Sequence, residues 1–515
     1  ISTDESEEDK TFLSLNFVVG QSTDAELYMA FDILTYLLLH TSASPLKRAL
    51  LEAGLGEDVY GSFDRSILQP VLSIVVKNTN SQEKNKFEEI VFNTLQQLVD
   101  EGIDKKLIEA AINIYEFKLK ESDYGRYPKG LIYSMSCMDS WLYDENPLIH
   151  LSYENTLDKV KKALTSDYFE KLIDKYLLNN QHRSLLIVEP KRGLAQKKDQ
   201  DIRNELADYK ESLTDGELDR LIEETKKLKK YQEEANNPEE LKMIPLISLE
   251  DIDKKPKSIP LIEKKEGEVS VLFCPIATND IAYVNLLFDV TVVPQNLIPY
   301  VSLLSFVLGK VATQNYGYED LSKEIDIYTG GMNFQIVSYP HKDGDKYFPK
   351  LVANSSALTA QIPKLFELLG EIIGSTKFCE TSRLKEIIRE IKSRLEMNIL
   401  QNGHTVAARR ATSYFSPIGH YQELCGGISF YQFIVDLERD FATRSSEIEN
   451  NLQNVYDMVF NKDNLLVSVT TEEKSYETFR DSFSSLIGYL KNNILKKHRY
   501  EFDYSKRNEG LLTSS

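Results

Sequence analysis

The feature that most constrains this chain is that one pattern of strands and helices runs through it twice. Near the start Leu13, Leu15, Phe17 and Val19 alternate with other residues, as in a strand with one buried face. Thr23-Asp24-Ala25-Glu26 then reads as a capping box for a helix through Leu27, Phe31, Leu34 and Leu38. A shorter helix opens at Ser44-Pro45, where proline suits the first turn, and stops at Gly54. Val71, Ser73 and Val75 predict another strand, and two long helices, about 82–101 and 104–120, meet at Gly102. Further helix is predicted over 128–142 and 165–178, with a short strand at 185–188.

The second half follows the same plan. Ala282, Val284, Leu286 and Phe288 open a strand, and helices cover 297–311 and 318–328, the latter ending at Gly330-Gly331. Strands lie around 333–339 and 351–356, paired helices over about 361–374 and 380–402, and a closing strand at 465–469. Setting Gly102-Ile103-Asp104 beside Lys377-Phe378-Cys379 aligns the two helix pairs at an offset of about 275 residues. Units this large cannot stack as a solenoid, so the expected fold is α+β, two homologous domains in tandem.

Between the repeats, from Lys191 to about Glu266, the chain is rich in Lys, Glu and Asp and poor in aromatics. Two helical stretches near 202–212 and 215–235, separated by Thr214-Asp215-Gly216, predict an exposed helical hairpin. Ile244-Pro245-Leu246 through Pro256 and Pro260 reads as an extended tether against a surface. The expected boundaries are therefore 1–190, 191–266 and 267–500, with a tail at 501–515.

With 61 Lys and Arg against 80 Asp and Glu, the net charge of −19 argues against a nucleic-acid partner, which requires clustered cations. Cationic peptides are better matched to such a field. Cys137, Cys274, Cys379 and Cys425 are far apart with no C-x-x-C pair, which fits buried thiols in a reducing, cytoplasmic compartment, or an organellar matrix in a eukaryote. No apolar run approaches the roughly 18 residues of a membrane span, so no membrane partner is expected. The chain opens at Ile1 with no basic-apolar leader, which reads as an artificial or processed boundary.

Motifs for chemistry are absent. The seven histidines are His40, His150, His182, His341, His404, His420 and His498, and the closest two are sixteen residues apart. None has the spacing that sets two imidazoles on one metal, and neither H-E-x-x-H nor H-x-x-E-H occurs. Gly309-Lys310 is followed by Val311 and lacks the earlier glycine of a P-loop. Gly54-Leu55-Gly56 and Thr329-Gly330-Gly331 each follow a helix, where capping and turn geometry account for them. Trp141, the only tryptophan, is expected in core or interdomain packing, and Asn179-Asn180-Gln181-His182-Arg183 as a helix-terminating loop.

Several segments nonetheless resemble the presequence-protease and falcilysin branch of the pitrilysin-like zinc metallopeptidases, peptidase family M16. The first is Ser44-Pro45-Leu46-Lys47-Arg48-Ala49-Leu50-Leu51-Glu52-Ala53-Gly54-Leu55-Gly56. Asn179-Asn180-Gln181-His182 and Ile244-Pro245-Leu246-Ile247-Ser248-Leu249-Glu250-Asp251-Ile252 support it. Ala277-Thr278-Asn279, Pro299-Tyr300-Val301 and Thr329-Gly330-Gly331-Met332 follow in the expected order.

The resemblance implies LuxS-like metallohydrolase-type α/β domains, four to a protein, in two halves that a helical hairpin joins around a peptide-degrading chamber. This chain resembles the second and third domains with the hairpin. The family's H-x-x-E-H zinc motif belongs to the first domain and its Arg/Tyr pair to the fourth, and neither has a match here. No catalytic or metal-binding residue is therefore assigned, and the substrate-binding residues are left open. The implied role is a non-catalytic wall and hinge of a zinc endopeptidase for unfolded peptides, with zinc bound elsewhere in the full-length parent. Its partners would be the first and fourth domains, docked on large apolar faces that this chain leaves uncovered. The alternative is a stand-alone inactive relative that binds peptides or scaffolds a partner.

Overall fold

The structure, a computed structural model, describes residues 1–511 apart from 42, 246, 257, 343–345, 494 and 505–507. Leu246 of the tether and part of the 501–515 tail thus lie outside the described residues. The chain divides into two units: Ile1–Glu7 with Pro190–Ile259, and Glu8–Glu189 with the described residues from Pro260 onward.

The larger unit contains both α+β repeats. The first sheet has strands β1 (Thr11–Val18), β2 (Asp58–Asp64), β3 (Val71–Thr79) and β4 (Arg183–Val188), in the order β2-β3-β1-β4, all antiparallel. The second has β5 (Ile262–Glu266), β6 (Val269–Pro275), β7 (Ile281–Asp289), β8 (Met332–Pro340), β9 (Tyr347–Leu358) and β10 (Leu465–Thr471), in the order β5-β6-β10-β7-β9-β8. Read from β8, the run β8-β9-β7-β10 repeats β2-β3-β1-β4 strand for strand, and β6 and β5 extend it beyond β10. The duplication legible in the sequence is therefore a duplication of topology.

Each sheet buries one face under helices. Leu13, Leu15, Phe17, Leu72, Ile74 and Val76 point into one core with Phe31, Leu34 and Leu38 of the Ala25–Leu39 helix. Val284, Leu286, Phe288, Val467 and Val469 point into the other, against the Ile298–Val307 and Ile362–Ser375 helices. The paired long helices are Lys84–Glu101 with Lys105–Glu121 and Ile362–Ser375 with Thr381–Gln401.

Several local expectations are corrected. Asp24 alone caps the first helix, accepting from the N–H groups of Glu26 and Leu27, so Thr23 starts no capping box. Strand β2 is not legible in the sequence because Gly61 interrupts it; the glycine is required there, since a Cβ would stand 2.2 Å from Leu39 Cδ1. Strands β5 and β6 also escape the sequence pattern. Glu263, Lys264 and Lys265 carry the composition of the hairpin, yet β5 hydrogen-bonds to β6 within the second sheet, which therefore begins before 267.

The smaller unit is the hairpin itself. Its helices, Leu194–Ser212 and Asp215–Glu233, turn at Thr214, where a reciprocal pair of bonds with Glu217 satisfies two free helix N–H groups. Neither helix buries a residue. The amino-terminal segment joins this unit: Gly193 N–H donates to Ile1 O (3.1 Å) and Arg192 N–H to Glu7 Oε1 (3.1 Å).

Candidate functional site: open sheet faces and an interdomain seam

Period-two alternation sends every second side chain of a strand away from the core. On the open face of the first sheet, register sets Ser62 opposite Ser73, Ser73 opposite Asn16, and Asn16 opposite Ser184. The row is joined by hydrogen bonds: Ser73 and Ser14 hydroxyls donate to Asn16 Oδ1 at 2.7 and 2.9 Å. On the second sheet Leu272, Ser468, Asn285, Asn354 and Asn333 form the equivalent row across five strands. Asn16 and Asn285 lie on the matching strands β1 and β7. Small hydroxyls and amides of this kind can bond an extended backbone without reading its side chains. These rows escape sequence reading because each is assembled across strands, not along one.

The two repeats meet along a polar seam. The Lys105–Glu121 helix lies against the Tyr318–Tyr328 helix. Lys106 pairs with Glu324 (3.0 Å), Lys323 with Asp104 (2.9 Å), Arg48 with Glu319 (2.6 Å) and Lys392 with Glu57 (2.8 Å). Lys77 Nζ donates to Ser393 O (3.0 Å) in a buried contact. Tyr36 donates its hydroxyl to Asp326 Oδ2 (2.9 Å), and burial raises the Asp326 carboxyl to about 7 against the pull of Tyr36 and Lys118. Gly330 belongs to this seam: a Cβ on it would lie 2.1 Å from the Phe117 ring. Close packing across the seam, beyond turn geometry, thus requires this glycine.

The other singled-out residues have structural duties or open positions. Asn180 Nδ2 bonds Val18 O and Tyr176 O, tying the loop to β1, as a helix-terminating loop requires. Gly54 and Gly56 have φ of +71° and +76° behind the Pro45–Glu52 helix. Trp141 is not packed in a core; it is 62% exposed. With Tyr127, Leu131, Met135, Leu142 and Leu148 it forms an apolar surface along the Lys129–Trp141 helix, which buries only Ser140. That helix is anchored by Asp139, whose carbonyl accepts from Ser22 (2.8 Å) and whose carboxylate accepts from Tyr28 (2.7 Å). The four cysteines carry free thiols.

A family model described as "Peptidase M16 inactive domain" matches residues 1–115, and the model of the region associated with subfamily C of the M16 peptidases matches residues 188–437. The chain belongs to the M16 peptidase family, with presequence-protease-like sequence throughout. Protein HypA of Clostridium perfringens is 43% identical over 505 residues, covering 98% of this chain and 52% of that one. Presequence protease 1, chloroplastic/mitochondrial, of Arabidopsis thaliana is 28% identical over 490 residues, covering 94% and 45%. The chain thus spans about half the length of these relatives. The crystal structure of pitrilysin aligns with a TM-score of 0.40 at 16% identity, over 93% of this chain and 47% of that one. Membership of the family follows from the sequence matches alone.

Zinc is expected of the family, but these residues do not fit it. Among the described residues no group of three or more His, Cys, Asp or Glu is placed to hold a metal ion. His150 is stacked on Tyr28 and His420 on Phe502, each engaged in packing. No hydrolytic step is assigned to this chain's side chains.

Proposed function

We propose that this chain is the non-catalytic central part of a zinc-dependent endopeptidase that degrades unfolded peptides in an enclosed chamber. It supplies chamber wall and hinge, and is inactive alone. The apolar surface of the Lys129–Trp141 helix carries the reading: a folded chain with two large apolar cores leaves this run open, as a docking face for further domains does. The match to the inactive-domain model and the half-length coverage of the relatives support it.

On this reading the first and fourth domains of the same polypeptide are its partners, and the zinc and its ligands lie with the first. The polar rows on the open sheet faces contact peptide backbone without selecting sequence. The net charge of −19 draws in cationic peptides. The hairpin and the ion-paired seam are the parts that yield when the chamber opens. The four free thiols support a reducing compartment such as the cytoplasm.

Two measurements test this. An antibody raised against the chain should detect a native polypeptide near twice 59.1 kDa. A native band near 59 kDa would favour a stand-alone inactive subunit instead. The purified chain should not cleave a fluorogenic peptide with or without added zinc, and chelator-sensitive turnover would overturn the proposal.

A further inference from the structure

A small cavity of about 200 Å³ lies on the seam, between the Pro45–Glu52 helix of the first repeat and the Thr381–Gln401 helix of the second. Five Lys and Arg side chains line it: Lys47 and Arg48 from the first helix, Arg383 and Arg394 from the second, and Lys310 from the turn after Ile298–Val307. Three carboxylates line it too, and each is already engaged. Glu52 faces Arg48 (3.6 Å), Glu386 pairs with Arg383 (2.9 Å), and Glu390 pairs with Lys47 (3.5 Å) and Arg394.

Lys310 is left over. Its carbonyl is fixed by Arg383 Nε (3.1 Å), so the residue is held in place, yet no hydrogen bond or ion pair reaches its ammonium among the described residues. A half-buried ammonium without a protein partner gains nothing to offset its partial desolvation. Glu319, just outside the lining, pairs with Arg48 (2.6 Å), which leaves Lys310 as the cation of this cluster without a carboxylate partner among the described residues.

The local electrostatics agree. Burial pushes the Lys310 ammonium below the usual lysine range; Glu390 opposes this, while Arg394, Lys47 and Arg383 add to it. Although burial pushes Glu390 upward, Lys47, Lys310, Arg394 and Arg383 together hold it down at about 2. Tyr318 lies under the Arg383 guanidinium (4.8 Å), and its phenol is pushed up to about 12, mainly by burial and by Glu319. His40 is held below the usual histidine range by burial and by Lys118 and Lys47.

We propose that this cavity binds a small oxyanion of the phosphate class, which takes the unpaired charge of Lys310 and ties the two α+β repeats together. The cavity's size suits orthophosphate or pyrophosphate, and its donors come from both repeats, so the bound anion stiffens the seam. The site is separate from the sheet faces assigned to peptide, and its readout is anion binding, so it stands or falls apart from the proposed peptidase role.

The test is equilibrium dialysis of the whole chain against radiolabelled orthophosphate and pyrophosphate at ionic strength fixed with sodium chloride, with thermal melts in parallel. Saturable one-to-one binding and a raised melting temperature are expected. Lys310→Met should weaken binding about tenfold or more, the loss of a charge-assisted bond, while melting no lower than wild type in chloride. Arg394→Gln, at a side chain half exposed to solvent, should weaken binding as well and decides the matter if Lys310→Met does not fold. Absence of saturable binding, binding unchanged in the folded variants, or displacement of label by acetate as readily as by phosphate would each overturn the proposal.

Discussion

The seam between the repeats should loosen as pH rises, and Asp326 is the group that makes it do so. Its carboxyl is buried against Tyr36 and titrates near 7 in the folded chain, against 3.8 in an unfolded one. Between those values the folded state holds a proton that the unfolded state has released. Stability therefore falls as pH climbs, since folding stability drops wherever the native state binds more protons. The contribution is fully present below about pH 4 and is lost progressively through about pH 7. Each pH unit between the two titrations is worth about 1.4 kcal/mol, so stability changes by roughly 2–3 kcal/mol between pH 5 and pH 8. Asp326→Asn keeps an oxygen for the Tyr36 hydroxyl but cannot ionise. The variant should match wild type within about 1 kcal/mol at pH 5 and exceed it by roughly 2 kcal/mol at pH 8, a difference of a few degrees in melting temperature. Far-UV circular dichroism melts of both proteins from pH 5 to 8 measure this. The difference between the two profiles matters, because His40, Asp32 and Asp58 also titrate outside their ordinary ranges and are common to both. Parallel profiles would refute the reasoning, whatever their absolute slope.

Gly330→Ala should destabilise the chain by about 1–3 kcal/mol through overpacking on Phe117, and Phe117→Leu in the same background should recover part of it, read by urea titration. Replacing Met135 and Trp141 by Lys should leave the melting temperature within about 2 °C, since both are exposed, while reducing binding of a hydrophobic dye to the isolated chain. Asn16→Leu should weaken binding of an unfolded cationic peptide severalfold by fluorescence anisotropy, because it removes the amide that Ser14 and Ser73 organise. Unchanged peptide affinity would remove that row from the chamber wall.

How much of this was legible in the sequence follows from the range of the interactions. Strands β1 and β7 alternate cleanly because one face of each is core, and the helix pairs announce themselves at Gly102 and near Phe378 by local chemistry alone. Where tertiary contact decides, the pattern fails. Gly61 reads as a break but is what lets Leu39 lie against the sheet. Trp141 reads as core or interdomain packing because bulk is usually buried, yet it is 62% exposed. Tyr36 with Asp326, and Lys47 with Glu390, join positions some 300 residues apart, which no periodicity connects.

The two sheets differ at one edge. In the second, the outer edge of β10 is covered by β6 and β5. In the first, β4 holds the equivalent place, and among the described residues no strand pairs with its far edge. An unpaired edge is a template for aggregation, and proteins blunt such edges with lysine, proline or a bulge. Strand β4 carries a single charge, Arg183 at its start, and otherwise reads Ser-Leu-Leu-Ile-Val, with Leu186 and Val188 half exposed. An edge this apolar is tolerable if something covers it in the working protein. The second sheet ends instead on β5, whose Glu263, Lys264 and Lys265 blunt its edge, while the first repeat keeps both the apolar β4 edge and the open Lys129–Trp141 helix. The two otherwise matching domains thus differ in what they leave open, and on the proposed architecture the first repeat's β4 edge and Lys129–Trp141 helix are where one of the neighbouring domains would dock.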